Sequence, residues 1–254
     1  MTHAMEDVQE LKKKFDGDGY LAIRDFLSVA ELAELKHELE RYIHECVPSL
    51  QRTDVYYEDR DNPATLKQMA RIKEHDSYFA DLIMRPKWAS LAETLLADKV
   101  VAKELEWFNK PPAIGKPTPP HQDGYYFMLE PNEAVTMWLA LDPVDESNGC
   151  IRYIPGSHRK GLRPHGRTDV LGFSQGITDY DSADRSAEMP IVASPGDLLV
   201  HHAGTIHRAD GNPSQRHRRS LGLIFYAAHA REDAKRLAVY QARLNAELEE
   251  ARKI

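Results

Sequence analysis

The chain has 254 residues, 42% hydrophobic and 29% charged, which is enough to bury a core without staples. Lys and Arg number 33 against 40 Asp and Glu, and the resulting net charge of −7 argues against a general binder of nucleic acid or anionic membranes. Two cysteines, Cys46 and Cys150, stand in no paired motif, which excludes a disulfide scaffold and a Cys-rich zinc site and suits a reducing cytoplasm. No apolar run approaches the ~20 residues that span a bilayer. The first residues, MTHAMEDVQELKKKF, carry no apolar stretch of secretory type, and ARKI at the end differs from an SKL-type address.

In chain order, Val8, Leu11 and Phe15 predict a short helix over 6–15, stopped by Asp16-Gly17-Asp18-Gly19. A short strand follows at 20–26. Ser28 and Glu31 then form a capping box for a helix to about Cys46, with Leu32, Leu35, Leu39 and Tyr42 on one stripe. Residues 51–66 are polar and irregular. A helical stretch over 75–97 breaks near Pro86. Short apolar runs then alternate with Gly, Pro and Asn turns at 99–108, 121–129, 134–141, 150–154, 189–193, 197–202 and 218–226, the pattern of an antiparallel sandwich or jelly roll. A charged, Leu/Ala-rich helix closes the chain at 230–253. The expected fold class is mainly β with flanking helices (α+β). One domain spans 1–254: a helical part to about 97, a β-core over 98–229 and the final helix.

Twelve histidines are present, eight of them from His121 to His229. Histidine is the commonest metal ligand, so this bias directs attention to His121-Gln122-Asp123 and to His201-His202 and His207. On a strand, His121 and Asp123 would share a face, and Tyr125 with them, while Tyr126 would point away. Two histidines and one carboxylate can cap one face of iron(II) and leave three positions open, although a zinc hydrolase could use the same set. Eleven residues beyond His207, Arg218 and Ser220 share a strand face. A buried guanidinium requires an anion, and its fork suits a carboxylate such as the distal one of 2-oxoglutarate.

At this point the sequence resembles the phytanoyl-CoA dioxygenase family of iron(II)/2-oxoglutarate-dependent oxygenases. The resemblance rests on Phe15-x3-Gly19-Tyr20-Leu-Ala-Ile-Arg-Asp-Phe-Leu, on Asn109-Lys110-Pro-Pro, on the His121-Gln-Asp triplet, and on Trp138-Leu-Ala-Leu. It continues through Asn148-Gly-Cys-Ile-Arg-Tyr-Ile-Pro-Gly-Ser-His158, Gly176-Ile-Thr-Asp-Tyr180, and His202-x4-His207-x4-Asn212-x-Ser214-x3-Arg218. It implies a double-stranded β-helix, a cupin-like jelly roll. It makes His121, Asp123 and His207 the iron ligands, Arg218 the partner of 2-oxoglutarate, Trp138 a neighbour of that cosubstrate and His202 a residue behind the metal. It implies hydroxylation of a small organic substrate with O2, releasing succinate and CO2. Asp123 occupies the place where halogenating relatives hold chloride, which favours hydroxylation.

Beside these stand plainer readings. His201, one step from His202, is expected to face the other side. Ser220 and Trp138 can be packing residues, and Cys150 reads as core. The basic run Arg159, Lys160, Arg163, His165 and Arg167 reads first as a solvated hairpin and second as a patch for an anionic ester. Asn109 and Lys110 either contact ligand or fix the loop 111–120. Segments 51–75 and 159–188 are the expected lids. A catalytically idle metal-binding barrel and a cupin-like hydrolase or isomerase without 2-oxoglutarate remain as alternatives.

Overall fold

The computed structural model describes residues 2–170 and 172–250. The N-terminal half of the chain builds a helical layer. Helix α1 (Thr2–Asp18) leads into β1 (Tyr20–Ile23), then α2 (Val29–Glu45), β2 (Val55–Tyr57) and β3 (Leu66–Met69). Three short helices follow, α3 (Ile72–His75), α4 (Ser77–Met84) and α5 (Pro86–Leu96). The capping box forms as expected: Ser28 Oγ accepts from Glu31 N at 3.3 Å, and Glu31 accepts from Ser28 N at 2.8 Å. The helical stretch expected at 75–97 is divided twice, by Asp76 capping α4 and by Pro86 opening α5, where a missing N–H costs nothing.

The remaining chain is mostly strand. It runs through β4 (Val100–Lys110), β5 (Thr118–His121), helix α6 (Gly124–Phe127), β6 (Leu129–Glu130), β7 (Ala134–Ala140) and β8 (Ile151–Tyr153). Next come β9 (His165–Val170), β10 (Phe173–Ile177), helix α7 (Ser182–Ser186), β11 (Met189–Ile191), β12 (Leu198–His202), β13 (His207–Ala209), β14 (Arg218–Ala227), β15 (Arg231–Glu232) and helix α8 (Ala234–Glu250). A seven-stranded antiparallel sheet has the order β1-β12-β7-β14-β4-β3-β2, and a four-stranded one the order β11-β8-β13-β5. Together they form the expected jelly-roll core. The last residues of the helix expected over 230–253 lie outside the described residues.

Alternation along the long sheet separates structure from chemistry. Leu105 and Trp107 of β4, Met137 and Leu139 of β7, Leu198 and Val200 of β12, and Leu221, Leu223 and Phe225 of β14 belong to the main core. There they meet Leu35, Leu39 and Tyr42 of α2, Phe79 and Ile83 of α4, and Trp88 of α5. The in-between positions face the second sheet and include the polar side chains Glu106, Lys110, Thr136, His201, Arg218 and Ser220 beside the apolar Phe108, Trp138 and Leu199. A buried side chain of this size contributes about 1.5–3 kcal/mol, so the helix-facing row holds the fold and leaves the inner row available for chemistry.

Three expectations change. The strand expected at 121–129 ends at His121; Asp123 is already helical (φ −57°, ψ −35°) and a turn of helix follows. A Cβ at Gly124 would lie 2.1 Å from the Asn132 amide, so a larger residue there would displace that side chain. Segment 51–75 is not simply a lid, since β2 and β3 extend the long sheet edge. Segment 159–188 carries the β9–β10 hairpin and α7 rather than loop alone.

Candidate active site

Between the two sheets lies a cavity of about 220 Å³. The short sheet supplies His121 and His207, the long sheet Thr136, Trp138, His201 and Arg218. His121 ends β5 and His207 opens β13, and the two are direct partners in the antiparallel register. Asp123 reaches the same point from the turn after β5. Ligand atoms of His121, Asp123 and His207 all lie within 4.8 Å of one another.

The hydrogen bonds around these groups fix their orientation. His121 Nδ1 lies 2.8 Å from Pro119 O, and His207 Nδ1 lies 3.0 Å from Thr205 O. A carbonyl only accepts, so each Nδ1 carries a proton, and in a neutral ring that leaves the Nε2 lone pair facing the cavity. Asp123 Oδ2 accepts from Thr136 Oγ1 at 2.6 Å and from His201 Nε2 at 3.0 Å. Its other oxygen, Oδ1, is turned toward His121 Nε2 at 3.4 Å and His207 Nε2 at 3.6 Å. Burial would raise Asp123, but the imidazoles of His207, His121 and His201 outweigh it and hold the carboxyl well below its usual range. Burial, reinforced by His121 and His201, pushes His207 far down. One ionised carboxylate and imidazole lone pairs facing inward form a donor set suited to a divalent metal.

The two adjacent histidines exchange their expected roles. His201 is in the site; its ring centroid is 4.3 Å from that of His207, and Tyr153 Oη lies 2.9 Å from its Nδ1. His202 turns away, toward Glu133 Oε2 at 3.4 Å and the rings of Phe15 and His158. Strand β12 is apolar on both faces, so alternation alone could not orient the pair. Thr136, His201 and Tyr153 are site residues that sequence reasoning missed; the signal available was the shared face of Thr136 and Trp138 on β7.

The tyrosines are reversed too. Tyr126 lines the cavity, 5.9 Å from the His121 ring, while Tyr125 stacks on His165 at 4.3 Å. In a helical turn the residue sharing a face with Asp123 is three positions on, which is Tyr126. The intervening Gln122 is fully buried; it donates to Gly204 O and Gly161 O and accepts from Arg163 N. That pins the His121–Asp123 segment from behind.

Arg218 is 5% exposed, its guanidinium carbon is 5.3 Å from the Trp138 ring centre, and its Nε has no partner among the described residues. Burial lowers its pKa only to about 10, so it is charged at neutral pH. Two residues on, the buried Ser220 hydroxyl is also unpartnered. Lys110, opposite Arg218 in the register, donates to Lys116 O and to Thr118 Oγ1. Burial and then the Arg218 charge push its amine well below the ordinary value. Arg219 is occupied elsewhere, in a bidentate pair with Asp142 at 2.8 Å for both bonds.

Other residues resolve plainly. Asn109 Nδ2 donates to Leu66 O and its Oδ1 meets His217, so it fixes strands rather than ligand. Cys150 is core. Arg163 of the basic run pairs with Asp179 and Asp184. The Asn148-Gly-Cys…Pro-Gly-Ser segment acts as a support: Ser157 Oγ accepts from Ile206 N at 2.8 Å, just before His207. Asn212 likewise ties the approach to Arg218 onto Lys110 O and Arg216 O, at 2.7 Å each.

Comparison with known proteins agrees with this geometry. A family model described as phytanoyl-CoA dioxygenase matches residues 15–220. The peroxisomal phytanoyl-CoA dioxygenase of Bos taurus is 28% identical over 233 residues, 87% of this chain and 68% of its own length. A probable alpha-ketoglutarate-dependent hypophosphite dioxygenase of Stutzerimonas stutzeri is 26% identical over 86% of this chain and 78% of its own. Among solved structures, the epimerase SnoN in complex with Fe3+, alpha ketoglutarate and nogalamycin RO superposes with a TM-score of 0.72 at 24% identity, covering 89% of this chain and 86% of that one. That superposition places the two-sheet core among jelly rolls, and the family match spans the sheet-forming strands from β1 to the start of β14. The chain belongs to the phytanoyl-CoA dioxygenase family.

Proposed function

We propose that this chain is an iron(II)- and 2-oxoglutarate-dependent dioxygenase that hydroxylates a small organic substrate at a C–H bond, with release of succinate and CO2. One observation carries the reading: a cavity that combines an inward-facing His121, Asp123 and His207 set with a buried, charged Arg218 whose Nε is unpartnered. The three ligand atoms would hold the iron and leave coordination positions for the keto acid and O2. When bound, iron(II), 2-oxoglutarate and O2 together supply the oxidation of the C–H bond.

The chain's own residues bind and orient. Arg218 pairs with the distal carboxylate of 2-oxoglutarate through its planar fork, and the Trp138 face beneath the guanidinium limits its motion. Ser220 donates its free hydroxyl at the same end. Thr136 and His201 occupy one oxygen of Asp123 so that the other points at the metal position. The aromatic walls exclude water from the reacting centre. A hydrolase without 2-oxoglutarate would leave Arg218 a buried cation with no function, and an idle barrel would have no need of both the donor set and Arg218.

The test is anaerobic loading with Fe(II) and 2-oxoglutarate, followed in the visible region. A charge-transfer band of the chelated keto acid is expected, and then succinate on admission of O2 with substrate. Iron binding without the band rules the reading out; a band without succinate over a broad substrate panel favours the idle barrel. No described helix is long and apolar enough to cross a membrane, and both cysteines are free thiols, which fits a reducing compartment such as the cytoplasm.

A further inference from the structure

The two ends of the cavity differ in chemistry. Strand β4 runs along its wall with Lys110, Phe108 and Glu106 on the inner face, and across from them on β14 stand Arg218, Ser220 and Gly222. At about 3.3 Å per residue, Lys110 and Glu106 are separated by roughly 13 Å. On the reading above, the Lys110 and Arg218 end belongs to the cosubstrate. The Glu106 end is then left for the substrate.

Three acidic residues line the cavity. Glu58 pairs with Lys67 at 3.1 Å, and Asp123 is held by Thr136 and His201. Glu106, half-buried, has no hydrogen bond or ion pair among the described residues. Burial, then the charges of Glu104 and Asp123, raise it to about 8, and no cation acts on it. Aromatic residues share its cavity: Phe108 follows on the same face of β4, and Tyr126 and Phe127 of α6 also line the space. Gly222, its direct partner on β14, pairs on its other side with Trp138 of β7. A Cβ at Gly222 would come within 3.0 Å of Phe108 Cε2, so the Phe108 ring lies over this glycine, beside Glu106.

A lone carboxyl among ring faces, in the field of two further carboxylates, is completed by a cation, which gains both an ion pair and cation–π contacts. We propose that Glu106 is a specificity-determining residue that anchors a basic amine of the substrate, so that the substrate class is a small cationic amine rather than an anionic ester. This rests on the assignment of the Arg218 end to 2-oxoglutarate.

Hexylamine, 1-hexanol and hexanoate serve as matched probes. Their binding is measured by calorimetry on the metal-free protein and on protein holding Fe(II) and 2-oxoglutarate without O2. Hexylamine is expected to bind at least tenfold more tightly than 1-hexanol in both forms, with hexanoate weakest in the protein that holds 2-oxoglutarate. Glu106→Gln is expected to bring amine and alcohol within twofold of each other, and Glu106→Asp to keep part of the preference, while the keto-acid band persists in both. Equal or tighter binding of 1-hexanol by the unmutated protein, or of hexanoate once 2-oxoglutarate occupies the Arg218 end, overturns the inference, as does an amine preference that survives Glu106→Gln. Absence of the keto-acid band in the unmutated protein instead overturns the dioxygenase reading, and the metal-free measurement still decides the role of Glu106.

Discussion

His201 Nε2 lies 3.0 Å from Asp123 Oδ2, and this contact, together with the Thr136 hydroxyl at 2.6 Å, turns the other oxygen of Asp123 toward the two other members of the donor set. Because a carboxylate only accepts, the His201 proton sits on Nε2, and in the neutral ring Nδ1 accepts from the Tyr153 hydroxyl at 2.9 Å. Tyr153, His201 and Asp123 thus form a relay of orientation running from β8 through β12 to the site.

Replacing His201 by Ala is expected to weaken iron binding by about 10–100-fold, the usual cost of removing a residue that orients a ligand. His202→Ala, one position on, should stay within a few-fold of the unmutated protein, since its partner is Glu133. Chelator competition measures both. Equal losses in the two variants would contradict the relay.

Arg218→Ala is expected to raise the dissociation constant of 2-oxoglutarate by about 100-fold or more, with iron affinity nearly unchanged, because charged hydrogen bonds contribute about 1.5–3 kcal/mol each. Arg218→Lys should recover only part, since an ammonium cannot form the fork. Ser220→Ala should cost about tenfold. Titration of the keto-acid band checks all three, and Asp123→Ala should abolish the band through loss of iron.

Gly149→Ala should destabilise the fold by about 2 kcal/mol or more, since the residue has φ +85° and a Cβ there would lie 2.4 Å from Asp210 O. For a chain of this length that lowers Tm by roughly 4–8 °C. Thermal unfolding at fixed pH measures it.

Asp197 gives the stability a defined acid limb. It is 2% exposed, accepts from Asp25 N and Ser194 N at 2.9 Å each, and meets Arg24 Nη1 at 2.7 Å. Burial would raise the carboxyl, but these donors outweigh it and leave it lowered. A lowered folded-state pKa means that the contribution is complete at neutral pH and is lost as pH falls through the folded value. Asp197→Asn is expected to cost about 1–3 kcal/mol at pH 7, mostly from the two backbone donors because Arg24 is half exposed. The difference should shrink steadily below about pH 4, as followed by urea unfolding across pH.

The sequence made the fold class legible because β4, β7 and β14 alternate cleanly under a helical layer. It also made His121, Asp123, His207 and Arg218 legible, through spacing and family resemblance. What it hid has two physical causes. In β12, Leu198-Leu-Val-His-His is apolar on both faces, so period two could not tell His201 from His202. After His121 the backbone turns helical, so Asp123 converges by a turn and Tyr126 replaces Tyr125. Strands β2, β3, β9 and β10 were missed because they are short or largely polar and carry no hydrophobic period to read.

The direct pairing of His207 with His121 across β13 and β5 has an evolutionary consequence. Two members of the donor set are spaced by backbone hydrogen bonds of the short sheet, while Glu106 and Arg218 ride on adjacent strands of the long one. The long excursion between β8 and β11 carries neither. Its base, through Gly161, Arg163 and His165, holds Gln122 between His121 and Asp123, so changes confined to the far tip of the hairpin can reshape the cavity while the metal geometry is inherited intact.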